Sequence, residues 1–353
     1  MALQIGPYQG DGGDLSELIT STWQKVYGGH AWFPVWDRAF VDWRLMDPRV
    51  LDREMLVCAY DDDKLIGCLL AEPTELRVGS RRVQGSLTSY LSVDPETRHR
   101  GLGVRLLDQQ RRLHQQRGLQ LSLGVSNSLE GAESKKFWAG VARRWPQEFA
   151  LLGGLTMWCH VVDTGAIAAA GLNWFERWGP RAQALVPGAL SAPAARTRPF
   201  RASDLDACLA WTLRQGEAAD CQMIWSRQRL SLQLDHPYAR TWVAEREGRP
   251  SGFVNGYLIT WSGGQLVRVG FIELCAAEGG VLAQAALLSR ARRALADEGA
   301  QMVVVMMDAG AQPQAAMLAA GFMPMNPHVQ KMALLGELAG TLSAPTRLHC
   351  AFT

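Results

Sequence analysis

SLTSYLSVDPETRHRGLGV, residues 86–104, changes character twice along its length. Ser86–Val93 alternates and ends in β-formers, which predicts a strand. Asp94-Pro95 breaks it, and Arg98-His99-Arg100-Gly101-Leu102-Gly103 makes a short basic turn. From Val104 the pattern is helical, with Val104, Leu106, Leu107 and Leu113 apolar among Arg105, Asp108, Gln109, Gln110, Arg111 and Arg112. A strand, a glycine-containing turn and a helix together make a grip for pyrophosphate. The glycines let the backbone come close, successive N–H groups point at the anion, and the helix N-terminus adds positive charge.

The spacing Leu91-x-Val93-x-Pro95-x-x-Arg98-x-x-Gly101-x-Gly103 resembles the acyl-CoA-binding motif of the GNAT N-acetyltransferase superfamily. The resemblance implies donor-binding positions at Leu91, Val93, Arg98, His99, Arg100, Gly101, Leu102, Gly103 and Val104. Asn127, just past the following strand, matches a position where relatives bind the pantetheine arm. It also implies an α/β fold with a mixed sheet splayed between its fourth and fifth strands, into which the cofactor wedges.

Bulk properties narrow the partners. The 353 residues favour two domains over one. With 48% hydrophobic and 20% charged residues and a net charge of +2, nothing calls for nucleic acid or an anionic membrane. The seven cysteines (Cys58, Cys68, Cys159, Cys208, Cys221, Cys275, Cys350) are scattered without a CxxC pair. They read as reduced thiols of a cytoplasmic protein, with no metal site. The N-terminus lacks a signal-peptide pattern, and no apolar run approaches the roughly 18–20 residues of a membrane span.

Taken in order, Ile5–Tyr8 reads as a strand and Asp14 caps a helix to about Lys25. Trp36, Phe40 and Trp43, at i, i+4 and i+7, predict one aromatic helix face within His30–Trp43. Met55–Tyr60 and Lys64–Ala71 form a hairpin, followed by Glu75–Val78 and a strand ending at Val93. Leu119–Val125 is a buried strand, Glu133–Arg144 a helix, and Leu151–Val161 supplies the last strand or two. Residues 164–196, rich in Ala, Gly and Pro, read as a helical appendage and linker. From Arg198 the order restarts: hairpin 240–246/252–260, strand 267–276, helix 281–298, strand 301–307, helix 312–320. A nearly constant offset between the halves predicts a tandem duplication. The expected organisation is therefore a GNAT-like domain over 1–163, a linker over 164–196, and a degenerate GNAT-like domain over 197–353. The second copy has Ala277-Glu278-Gly279-Gly280 where the first has Arg98–Gly103; a carboxylate there has the wrong charge for pyrophosphate.

Acyl transfer to an amine needs a held donor, a polarised thioester carbonyl, a deprotonated ammonium and a protonated thiolate. The family resemblance assigns the carbonyl to a backbone N–H around Leu91–Ser92. Many relatives carry a carboxylate on the fourth strand and a tyrosine after strand five; here Ser86–Val93 has no carboxylate, and Phe137 and Trp138 stand on the later helix. Tyr90 and Ser92 are therefore the candidate catalytic side chains, with Lys135 or Lys136 available to phosphates and His30, Asp37 or Asp42 to the acceptor. The expected activity is transfer from acetyl-CoA or another acyl-CoA to a small-molecule amine. A carrier-protein or aminoacyl-tRNA donor and a non-catalytic acyl-CoA-binding role remain alternatives, and oligomeric state is open.

Overall fold

The computed structural model describes residues 3–127, 133–174, 176–179, 196–307, 314–325 and 329–350. The side chains of Arg98, His99, Arg100 and Asn127, and most of the expected linker (180–195), lie outside the described residues. The first half runs β1 (Leu3–Pro7), α1 (Gly12–Tyr27), β2 (Phe33–Val35), α2 (Arg38–Arg44), β3 (Leu56–Asp61), β4 (Lys64–Val78) and β5 (Arg81–Val93). It continues with α3 (Leu102–Arg117), β6 (Leu121–Asn127), α4 (Glu133–Arg144), β7 (Phe149–Gly154), β8 (Thr156–Val161) and α5 (Thr164–Ala170). The second half repeats that order: β9 (Thr197–Pro199), α6 (Leu205–Gly216), β10 (Cys221–Ile224), α7 (Arg227–Asp235), β11 (Arg240–Arg246), β12 (Arg249–Ser262) and β13 (Leu266–Ala277). Then come α8 (Gly280–Asp297), β14 (Met302–Met307), α9 (Gln314–Ala319), β15 (Met323–Met325), β16 (Val329–Leu334) and β17 (Leu348–His349).

The two sheets do not belong to contiguous halves. One has the order β1-β3-β4-β5-β6-β16-β7, with β10 on β4; the other is β15-β8-β14-β13-β12-β11-β9, with β2 on β12. The first half therefore lends β2 and β8, and the second lends β16 and β10 at equivalent places, with β17 added beside β10. β8 lies antiparallel on β14 from Thr156 opposite Met307 to Val161 opposite Met302. β16 lies the same way on β6, from Val329 opposite Asn127 to Leu334 opposite Ser122. β2 caps the end of β12, and β10 the end of β4. The ranges 1–163 and 197–353 thus mark sequence copies, while each sheet is closed by segments of both.

Local chemistry moves several element ends from their expected places. Asp11 rather than Asp14 caps α1, its carboxylate accepting the Gly13 N–H at 2.7 Å. The aromatic segment is not one helix. Phe33–Val35 is extended, Asp37 caps α2 by accepting the Phe40 N–H at 2.8 Å, and Trp36 sits before the helix. Trp36 still meets Phe40, at 4.8 Å between ring centroids, so the aromatic layer survives the change of backbone. Phe40 and Trp43 then reach Tyr257 of β12, both at 5.5 Å, which joins the halves in one core. Among the described residues no helix is long and apolar enough to cross a membrane.

Between β5 and β6 runs a buried polar chain. His114 Nε2 shares a 3.0 Å hydrogen bond with Ser86 Oγ, which meets Ser122 Oγ at 2.8 Å, and Ser122 meets Thr88. Burial pushes the His114 imidazole down to about 4, and the same cause brings His349 to about 4. Both rings are thus neutral in the folded chain at pH 5–6, where an unfolded chain binds more protons. Stability is full above about pH 6.5 and falls as pH drops towards about 4, by roughly 3 kcal/mol per histidine at the limit. Urea midpoints measured at pH 7.5 and pH 5 will show this loss, and His114→Gln will reduce the pH slope; an unchanged slope would refute the assignment.

Candidate active site

β5 and β6 pair in parallel only from Gly85 opposite Leu121 to Thr88 opposite Gly124. Beyond that point β6 turns its ladder to β16, as far as Asn127, and the two strands part. A slot opens between the last turn of β5 and the end of β6. At its base β5 carries a bulge: Cys68 faces Ser92 and Leu70 faces Ser89, so Tyr90 and Leu91 together oppose Leu69. Tyr90 has φ +57°, a left-handed conformation that is unusual for an aromatic residue. A bulge re-aims the backbone groups of a strand, here beside the slot.

The basic stretch follows at once. Asp94 donates its N–H to Ile66 O at 2.9 Å, and its carboxylate accepts the Glu96 N–H at 3.2 Å and lies 3.4 Å from Lys25 Nζ. Pro95–Arg100 forms one 3₁₀ segment rather than an open turn. Gly101 then adopts φ +65°, ψ +25°, caps α3 without a side chain, and leaves the first-turn amides of Leu102, Gly103 and Val104 without a side-chain acceptor. Gly103 has a different reason to be glycine: a Cβ there would sit 2.9 Å from the Phe137 ring of α4. That close approach leaves a groove of about 470 Å³ between the helices, lined by Val104, Lys136, Phe137, Gly140, Arg143 and Arg144. It places cationic residues of α4 beside the start of α3.

The expected catalytic pair separates. Tyr90 is buried, its ring edge-on to Trp36 at 5.2 Å, in the electrostatic surroundings of Arg44 and Tyr257. Ser92 is 1% exposed, and its Oγ accepts the Trp23 indole N–H at 3.0 Å, which ties α1 to β5. That is a structural tie and removes Ser92 from the exposed chemistry. Leu91 and Val93 are half-buried against the α3 side of the sheet, and Asn127 ends β6 opposite Val329. His30 is exposed, Asp37 caps α2 and accepts the Tyr238 hydroxyl at 3.2 Å, and Asp42 pairs with Arg38 at 3.4 Å, so none of the three converges on the slot. Lys135 and Lys136 are exposed on α4.

The sequence reading missed a charge cluster between the halves. Arg44 of α2 pairs with Glu273 of β13, and both side chains are almost fully enclosed. Glu273 falls at the β12–β13 irregularity, where Asn255 faces Leu274 and Gly256 faces Ile272, the counterpart of the β5 bulge. Its second oxygen accepts Gln233 Nε2 at 2.7 Å, and Gln233 also donates to Asn255 Oδ1 at 2.7 Å. Glu72 of β4 pairs with Arg229 of α7; burial raises the Glu72 carboxyl, against the pull of Arg229 and Arg44. Arg44 lies over the Trp43 ring at 4.7 Å. The available signal was a carboxylate inside an apolar run: Glu72 at the end of LIGCLLAE and Glu273 in VGFIELCAA.

Residues 28–137 match the acetyltransferase (GNAT) domain family. No curated protein matches the chain by sequence. In structure the chain is similar to Saccharomyces cerevisiae N-myristoyltransferase with bound myristoyl-CoA, at TM-score 0.71 and 13% identity, over 94% of this chain and 82% of that one. A second structure of the yeast enzyme, with myristoyl-CoA and inhibitors, gives TM-score 0.69 at 12% identity over 94% and 80% of the two chains. The splayed sheet, the bulge and the glycine-capped α3 occur together, duplicated in one chain, which defines a tandem GNAT fold. The GNAT match thus covers residues 28–137, and the chain as a whole shares its fold with those two structures.

Two substitutions check this geometry. Gly103→Ala is expected to lose about 1–3 kcal/mol through the Phe137 contact, and adding Phe137→Leu to recover most of it; equal unfolding midpoints for Gly103→Ala and wild type would remove the packing explanation. Glu273→Leu strands a buried guanidinium and should cost about 3–5 kcal/mol, whereas Arg44→Met with Glu273→Leu should cost far less than the single change. A double-mutant cycle in urea reads the coupling directly, and additive losses would contradict it.

Proposed function

We propose that the chain transfers an acyl group from a CoA thioester, acetyl in its simplest form, to the amine of a small molecule, and that the first half holds the donor. One observation carries the proposal: the parted β5–β6 edge, the bulge at Tyr90–Leu91 and the glycine-capped start of α3 follow one another along the chain. The α3 amides, with the basic residues Arg98 and Arg100 of the preceding segment, take the pyrophosphate. The cationic groove between α3 and α4 suits the remaining phosphate. The pantetheine arm lies along the slot towards Asn127, and backbone N–H groups at the bulge face the thioester carbonyl, where negative charge develops during attack. Myristoyl-CoA in the structurally similar yeast enzyme supports a CoA thioester as donor class.

The amine attacks as the free base, a carbon–nitrogen bond forms, the carbon–sulfur bond breaks, and the thiolate leaves with a proton. Tyr90 is the hydroxyl nearest the bulge in the sequence, and its ring extends towards Arg44 and Tyr257, away from α3. We assign it to the acceptor side, where it orients the amine and passes its proton. The second half binds no acyl-CoA in this scheme. β13 passes to α8 with only Glu278 and Gly279 between them, and Glu278 is occupied by the Trp211 indole N–H at 3.1 Å. Its role is to wall the acceptor side.

Calorimetric titration with acetyl-CoA and myristoyl-CoA tests the donor assignment. One equivalent per chain is expected, with affinity at least tenfold weaker in Arg98→Glu/Arg100→Glu at unchanged melting temperature. Two equivalents would give the second half a donor site, and no binding of either thioester would overturn the proposal.

A further inference from the structure

A pit of about 20 Å³ lies between the halves, lined by Trp43, Arg44, Glu72, Trp225, Arg229 and Gln233. Both halves build it: α2 and β4 from the first, α7 and Trp225 shortly before it from the second. The salt links described above occupy part of each guanidinium, but not all of it. Arg44 Nε, Arg229 Nη1 and Trp225 Nε1 are buried N–H groups with no hydrogen-bond partner among the described residues. Arg229 lies 5.6 Å from the centre of the Trp225 ring, so two of these donors belong to one stacked pair. Arg44 is 93% enclosed and Trp225 96%, so neither is solvated by bulk water. Arg229 and Glu72 keep 13% and 17% of their side-chain surface exposed, which leaves the pit a way to solvent.

A buried donor without an acceptor is costly, and native structures rarely leave one unexplained. Three on the lining of a single pit call for a group that accepts hydrogen bonds and donates none. Water would bring two hydrogens of its own, which would have to share the Glu72 and Glu273 carboxylates with Arg229, Arg44 and Gln233. A carboxylate brings acceptors alone and matches guanidinium geometry. We propose that this pit is a carboxylate-binding site that anchors the acid group of the acceptor, so that the acceptor class is an amine bearing a carboxylate. This rests on the acyl-transfer reading for its role. Arg44 is also the charge that shares surroundings with Tyr90 on the β5 bulge, which puts the anchor on the acceptor side of that centre.

Trp225→Phe gives the sharpest test. It keeps a six-membered ring beside Arg229 and deletes one unpartnered donor, so the ligand-free protein should stay folded, with a melting temperature lowered only by the smaller side chain. Sodium acetate, glycine, glycinamide and sodium chloride, at matched ionic strength, are titrated into wild type and variant by calorimetry. Acetate and glycine are expected to bind one per chain, with glycinamide and chloride silent, and Trp225→Phe should weaken both carboxylates about tenfold. Absence of saturable carboxylate binding, equal binding of glycinamide, or unchanged affinity in Trp225→Phe would overturn the proposal and leave water as the occupant. Acyl-CoA is titrated in parallel: thioester binding without carboxylate binding sinks the pit alone, and carboxylate binding without thioester binding sinks the transfer reading alone.

Discussion

A strand that parts from its neighbour must satisfy its backbone elsewhere, because buried N–H and C=O groups do not stay unpaired. β6 limits that constraint to its slot-facing edge, because β16 supplies hydrogen bonds along the other. β14 meets it with β8 in the same way. The slot in each half is therefore held open by a strand from the other. β2 on β12 and β10 on β4 repeat the exchange at the opposite end of the long strands. Neither sheet closes without both copies, so the duplication acts as one folding unit, and the aromatic contacts of Trp43 and Phe40 with Tyr257 seal the seam.

Within that shared scaffold the two slots have diverged. In the first, Asp94–Gly101 separates β5 from α3 and brings a 3₁₀ turn of basic residues to a glycine-capped helix start. In the second, the connection from β13 to α8 is too short for such a segment, and Glu278 is held by Trp211. The bulges have diverged as well. Tyr90 occupies the first, and Glu273 the second, where its charge is turned across the seam onto Arg44. One copy keeps a basic 3₁₀ segment before its helix, while the other turns a carboxylate onto Arg44 across the seam. A buried ion pair is weak evidence for stability by itself. Its position here, on residues from both halves, gathers four charges around one pit at the seam.

Much of this was legible along the chain because it rests on local rules. Strand alternation to Val93, the break at Asp94-Pro95 and the helical period after Val104 placed the strand, the basic segment and the helix, and element order placed the repeat. The misplacements were short-range competitions between near-equal signals. Asp11 took the α1 cap from Asp14, and Asp37 began a helix that periodicity had started earlier. Ser92 looked available beside Tyr90, but alternation along a strand says only that neighbours face opposite sides, not which partner waits there. That partner is Trp23, far away in sequence.

By itself the sequence determined the two copies of the fold, the single basic glycine loop and the absence of that loop from the second copy. Each follows from periodicity, turn chemistry and charge within a few residues. Only the tertiary structure decided which strands close each sheet, where Tyr90 points, and that Arg44, Glu72, Arg229 and Glu273 meet. Those residues lie far apart in the chain, and no local pattern ranks one antiparallel partner above another. Their meeting is fixed by backbone groups that the splayed strands must pair and by charges that burial forces together.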